Sequence, residues 1–335
     1  MLPIRADEID EAVAALKRGD LVGLPTETVY GLAGDARNTQ ALARIFATKG
    51  RPADHPLIVH VADVSQLEHW AVDIPAAALR LADAFWPGPM TLILKRKPDV
   101  SDLVTGGQDT VGVRVPSHPW AQAVLRAFGG GLAAPSANRF GHVSPTTAQH
   151  VRDEFGDAVP VVLDGGPCQV GIESTIVDLS GPKPRILRPG RIAPAEIEAI
   201  LGPDVFTTTE PAAGASPRVS GSLASHYAPR TSTELVDRSR LPARYRELHA
   251  DDETARVLSI GPLPSSMQGL GLPADAEGYA RHLYAALRML DIEGADRILI
   301  EAPPADASWA QCATGCNVQQ PRVIRISKAV DRPFR

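Results

Sequence analysis

Short apolar runs alternate with helix-like segments along most of this chain, and no other feature restricts its fold as much. The runs lie at 57–61, 91–94, 111–115, 131–134, 160–163, 175–178 and 185–187, and helical patterns fall among them at 75–85, 118–128 and 146–155. Runs of four or five apolar residues are too short for helices and suit strands buried in a sheet. Strands alternating with helices predict an α/β fold built on a twisted, mixed sheet. Upstream, Ile9, Val13 and Leu16 share one face of a helix over 6–17, Gly19 breaks it, and a strand follows at 21–24. Asn38 or Thr39 can cap a further helix over 39–48, whose Leu42, Ile45 and Phe46 form an apolar face. A helix from Pro194 to Leu201 closes this unit.

Residues 203–232 change character. They are rich in Pro, Gly, Ser, Thr and Ala with little aliphatic bulk, and read as a linker. Beyond them, strands are expected at 233–236, 255–260 and 297–301, with a helix from Asp275 to Leu290 that turns Tyr279, Leu283, Ala286, Leu287 and Leu290 inward. The expected organisation is therefore a first domain over 1–202, a linker over 203–232, and a smaller Rossmann-like α/β domain over 233–335. This second unit carries no GxGxxG fingerprint, and no GxxxxGK[ST] loop occurs anywhere, so a bound nucleotide would not sit in a P-loop.

Composition excludes several classes. With 335 residues there is ample chain for two cores. The N-terminus is acidic and lacks the apolar stretch of a signal peptide, and no run approaches the ~20 apolar residues of a membrane helix. A cytoplasmic location is the expectation. Basic residues number 34 against 39 acidic, so general attraction to nucleic acid is absent and any cationic function must be local. Three cysteines (Cys168, Cys312, Cys316) make no disulfide framework. Cys312 and Cys316 have no His or Cys cluster beside them and read as incidental thiols.

Local cations do occur. Lys49-Gly50-Arg51-Pro52 is a cationic turn between a helix and an apolar strand, able to grip a polyphosphate with Arg as a fork and Lys as a point charge. Its alternative is a solvated helix end favoured by the dipole. Arg114 lies inside the run VGVRV, where an unpaired charge would be very costly, so it requires an anion. A neighbouring carboxylate or a bound ligand would serve. His60, in LIVHV, reads as a core histidine or a ligand contact. Thr28 and Tyr30 alternate with Val29 and can point to one side of an extended segment, although Tyr30 also suits the core. Ser136, Asn138, Ser144 and Ser174 can orient a small polar ligand or serve as ordinary loop residues.

Eight stretches recur together: PTETVYGL, KGRPADHPLIVH, GVRVP, APSAN, HVSPT, GIESTIVD, RPG and SHYAP, spread from about residue 20 to residue 230. In kind and order they resemble the YrdC-like threonylcarbamoyl-AMP synthases, in their longer two-domain form. The resemblance implies condensation of L-threonine, bicarbonate or CO2 and ATP into threonylcarbamoyl-AMP and pyrophosphate, with Mg2+ accompanying ATP. It implies Lys49 and Arg51 as the catalytic pair. ATP would contact Arg51, His55, Thr110, Ser136, Asn138, Ser144, Arg188 and Tyr227. Threonine would contact Thr28, Tyr30, His60, Arg114, Ala134 and Ser174. The linker, carrying His226 and Tyr227, would fold over the site as a lid. The implied partners are a tRNA threonylcarbamoyl transferase complex, which uses the product for N6-threonylcarbamoyladenosine, and weak contact with tRNA, with no membrane. Two positions depart from the family pattern: His55 stands where Asn is common, and Trp309 to Arg335 lacks the usual basic terminal helix. The rival reading is an RNA-binding module without catalysis, which a steep salt dependence of RNA binding would reveal.

Overall fold

A computed structural model describes residues 3–203, 205, 217–219 and 228–316. Helix α1 (Ala6–Lys17) buries Ile9, Val13 and Leu16 and leads into β1 (Val22–Leu24) and β2 (Gly31–Asp35). Helix α2 (Thr39–Lys49) begins at Asn38, whose side chain accepts from the amides of Gln40 and Ala41, and ends at Gly50 in the left-handed region (φ 61°). Then come β3 (Ile58–His60), α3 (Ala76–Phe85), β4 (Met90–Lys95), α4 (Asp102–Thr105), β5 (Thr110–Arg114) and α5 (Pro119–Phe128). The short β6 (Leu132–Ala133), α6 (Ala148–Phe155), β7 (Val161–Val162), β8 (Thr175–Asp178), β9 (Arg185–Arg188) and α7 (Pro194–Leu201) complete the first unit. Their strands form one sheet in the order β7-β1-β2-β6-β3-β5-β4-β8-β9. It is mixed: β3 runs parallel to β5 and β4 to β8, while β4 and β5 are antiparallel.

The second unit contains β10 (Ser232–Val236), α8 (Leu241–Ala250), β11 (Ala255–Ile260), β12 (Gly269–Leu272), α9 (Ala276–Ile292), β13 (Arg297–Glu301) and α10 (Ala310–Gly315). Its sheet, β10-β13-β11-β12, is parallel throughout, as the Rossmann-like expectation requires. Five of these elements went unread in the sequence: β2, α4, α8, β12 and α10. The GLAGD and GLGL stretches lack β-branched residues, and α8 carries its apolar side chains sparsely among charges.

The two units share packing. Val29, Val143 and Ile172 of the first join the apolar cluster formed by Leu258, Tyr279, Leu283 and Leu287 of the second. Cys312 and Cys316 are buried in the same cluster, where burial pushes each thiol up to about 12. Described parts of the linker also hold to the first unit. Arg218 exchanges hydrogen bonds with Gln108, Val219 packs on Ile93 and Ile176, and the Ala228 amide donates to Gly141 O. Leu287→Ala should cost roughly 2–5 kcal/mol, because a fully buried leucine leaves a cavity that its neighbours fill only in part. Urea unfolding measures it, and a loss below about 1 kcal/mol would contradict this packing.

Candidate functional site

The charged turn after α2 is not solvated. Gly50 reverses the chain, and Lys49 turns inward and is 2% exposed. Its Nζ donates to the carbonyls of Ser136 and Asn138, so the ammonium ties α2 to the loop after β6. Burial, reinforced by the Arg51 charge, holds its pKa well below the lysine range. Arg51 is also buried and donates to Pro56 O at 2.9 Å. Asn138 donates from its amide nitrogen to Arg139 O and His142 O, which fixes the orientation of the amide. Its Oδ1 is then a buried acceptor without a partner.

Strand β5 delivers Arg114 to a carboxylate. Nη2 donates to Glu27 Oε1 at 2.6 Å, Nη1 to Thr28 Oγ1 at 2.9 Å, and Nε to Gly88 O at 3.2 Å. The Ser117 amide donates to the other Glu27 oxygen. The anion required by this arginine is therefore Glu27. His60, on β3, is in register with Arg114. Burial, then the Arg114 charge, pushes its pKa down to about 3, so the ring is neutral. Its Nδ1 lies 3.3 Å from Ile58 O and must be the protonated nitrogen, which leaves Nε2 as an acceptor. Strands β8 and β9 bring in the opposite wall. Arg188 donates from Nε and Nη2 to Ser174 O, and Ser174 Oγ bonds Thr91 Oγ1 at 2.8 Å.

Most of these groups line one open cavity. Of the residues expected from the sequence, Thr28, Lys49, Arg51, His60, Arg114, Ala134, Ser136, Asn138, Ser174 and Arg188 line it. Four others do not. Tyr30 is fully buried in the core, donates to Gly166 O and accepts from the Gly165 amide, so Thr28 and Tyr30 do not share a side. His55 packs edge-on against Phe140, which does line the cavity. Thr110 starts β5 opposite Lys95, outside the lining. Ser144 stands behind the wall and donates to Glu173. His226 and Tyr227 fall outside the described residues, as do 317–335 of the divergent terminal stretch. Sequence reasoning passed over Glu27 and Glu173, although both lie inside motifs, in PTETVYGL and GIESTIVD. A carboxylate held among small and apolar residues was the available signal.

A cavity walled by cations on a mixed sheet, backed by a parallel α/β unit, defines a two-unit α/β enzyme class with a site for anionic substrates. Comparisons with known proteins make the class specific. Residues 14–190 match the Sua5–YciO–YrdC family, described as telomere recombination, and residues 192–312 match the threonylcarbamoyl-AMP synthase C-terminal domain. The chain belongs to this family. It is 40% identical over 311 residues to the threonylcarbamoyl-AMP synthase of Bacillus subtilis, covering 89% of this chain and 88% of the relative. It is likewise 40% identical over 300 residues to that of Pyrococcus abyssi, covering 87% of each. The crystal structure of Pyrococcus abyssi Sua5 complexed with L-threonine superposes with a TM-score of 0.84 at 35% identity, over 95% of this chain and 97% of that one.

Two outcomes follow from the buried charges. Glu27→Gln should destabilise by roughly 3–5 kcal/mol, because Arg114 stays buried without its counter-charge. Denaturant titration reads it, and a neutral result would mean that Arg114 finds another anion. In the unfolded chain His60 binds a proton near pH 6.5, whereas the folded chain resists it down to about 3. The unfolded state therefore holds more protons between these values, and stability falls as pH drops through that window. His60→Gln should flatten the acid-side decline by about 1 kcal/mol per pH unit. An unchanged slope would place the titration elsewhere.

Proposed function

We propose that this chain condenses L-threonine, bicarbonate or CO2 and ATP into L-threonylcarbamoyladenylate, releasing pyrophosphate. The observation that carries the reading is the cavity's charge layout together with family membership: buried cations at Lys49, Arg51 and Arg188, and a neutral hydrogen-bonding end at His60 and Thr28. The neutral threonine amine adds to the carbon and gives a carbamate: with CO2 a C–O π bond opens and the nitrogen loses a proton, and with bicarbonate a C–O bond breaks and water leaves. A carbamate oxygen then attacks the α-phosphorus of ATP, and the bond to pyrophosphate breaks.

Charge builds on the departing pyrophosphate, and Arg51 and Arg188 are buried donors where it would gather. Lys49 contributes its charge while anchoring the Ser136–Asn138 loop, so the loop's geometry depends on it. Asn138 Oδ1 is an acceptor for a ligand N–H or O–H. His60 Nε2 suits the threonine hydroxyl, and Arg114, already paired with Glu27, retains its cationic face toward the threonine carboxylate. Ala134, Ser136 and Ser174 complete the lining. Catalysis then rests chiefly on positioning and electrostatics.

Mg2+ fits only as a companion of ATP. Among the described residues no group of three metal-binding side chains occurs, and Glu173 is the carboxylate that lines the cavity. A metal here would be held mainly by phosphate oxygens, where it neutralises polyphosphate charge. The product passes to a transferase complex that modifies tRNA, in the cytoplasm. The catalytic unit is residues 1–202, joined through 203–232 to the unit over 233–335.

Pyrophosphate release should require L-threonine and bicarbonate together. Equal release with bicarbonate withdrawn would sink the carbamate route. Arg51→Ala and Lys49→Ala should each lower turnover roughly 10²–10³-fold, as loss of a preorganised charge does elsewhere. For Lys49→Ala, restored turnover on adding back a positive side chain (Lys49→Arg) without repair of the Ser136–Asn138 loop would show that charge rather than anchoring dominates.

A further inference from the structure

Glu173 lies at the end of an irregular stretch, residues 163–174, that forms neither helix nor strand. Nothing regular orients it, so its direction comes from side-chain contacts. There are two. Ser144 Oγ donates to Oε1, and the phenol of Tyr284 donates to Oε2 at 2.6 Å. Ser144 belongs to the first unit. Tyr284 lies on α9 of the second, is 1% exposed, and reaches across the boundary between them.

This contact is part of a wider seat. Gly171 adopts φ +79°, and an added Cβ would stand 2.3 Å from Arg281 O of α9, so the glutamate's own loop presses against the helix backbone. One turn beyond Tyr284, Arg288 donates from Nε to Val143 O at 3.1 Å and from Nη2 to Glu154 at 3.0 Å. Helix α9 thus holds both loops that supply Glu173 with its surroundings.

The chemistry gives the glutamate a task. Among the described residues the lining carries four basic side chains, Lys49, Arg51, Arg114 and Arg188, and one carboxylate, Glu173. The cations suit phosphates and the amino-acid carboxylate, whereas an amino acid also brings an ammonium. A carboxylate has about four lone-pair positions, and two hydroxyl donors leave room for that group. We propose that Tyr284 is a positioning residue, through which the second unit holds Glu173 to receive the amino group of the substrate amino acid. The inference rests on the synthase reading for the identity of that amino acid as L-threonine.

The test uses the full chain. Tyr284→Phe removes only the hydroxyl and keeps the ring. It should raise KM for L-threonine roughly 5- to 20-fold, leave KM for ATP within about twofold, and hold the melting temperature within about 2 °C. Glu173→Gln should show the same threonine-selective loss, and adding Tyr284→Phe to it should cause no further change, since the phenol acts through the carboxylate. Calorimetric titration of L-threonine into the same variants reads the contact independently of turnover. If the unmodified chain bound threonine yet released pyrophosphate without it, the synthase reading would fail while the positioning role stood. An unchanged threonine affinity in Tyr284→Phe overturns the proposal. So does a parallel loss for ATP and threonine with a lowered melting temperature, or additive effects in the double variant.

Discussion

The pairing of Arg114 with Glu27 is the contact around which the cavity is arranged. An arginine on a strand beneath a ligand site must find its counter-charge inside the protein or leave a large desolvation cost uncompensated. Here the guanidinium donates to Glu27, Thr28 and Gly88 O, and the other Glu27 oxygen accepts from the Ser117 amide. One ion pair therefore fixes the segment before β2, the approach to β4 and the exit from β5. On the neighbouring strand His60 is kept neutral first by its burial and then by the Arg114 charge, which would repel a second positive charge. Lys49 does comparable work at the other end, where its ammonium joins two carbonyls of one loop. The site's cations are structural members as well as binding groups.

A second constraint comes from below. Val29, Val143 and Ile172 come from three motif-bearing loops of the first unit, and all three pack into the core around α9. The catalytic walls are therefore seated on the second unit rather than merely tethered to it.

Much of the architecture was legible because buried strands leave a compact apolar signature. The runs at 91–94, 111–115 and 175–178 correspond to β4, β5 and β8, three adjacent strands of the large sheet. What escaped were elements whose stability is supplied by neighbours. GLAGD forms β2 because β1 and β6 flank it on both sides, and its glycines admit close neighbours. Most expected site residues converge on the cavity because they lie inside motifs at strand ends. Tyr30 went to the core, since alternation says which side chains oppose one another but not which face meets a ligand. Glu27 and Glu173 were overlooked because their partners, Arg114 and Tyr284, are distant in sequence, and a one-dimensional reading prices a buried charge without locating its mate.

The large sheet also sets a timetable for synthesis. Strand β1, near the start of the chain, pairs in parallel with β7, so Val22 meets Val161. The N-terminal strand must therefore wait on the ribosome while more than a hundred further residues are made, on the order of ten seconds at common elongation rates. During that interval its backbone groups have only β2 to pair with. Helix α1, which can form from local contacts alone, is well placed to cover an apolar face of the waiting strand by packing Ile9, Val13 and Leu16 with Val22 and Leu24. The order of elements along the chain thus lets one face of β1 be covered early, while its edge is completed only by β7.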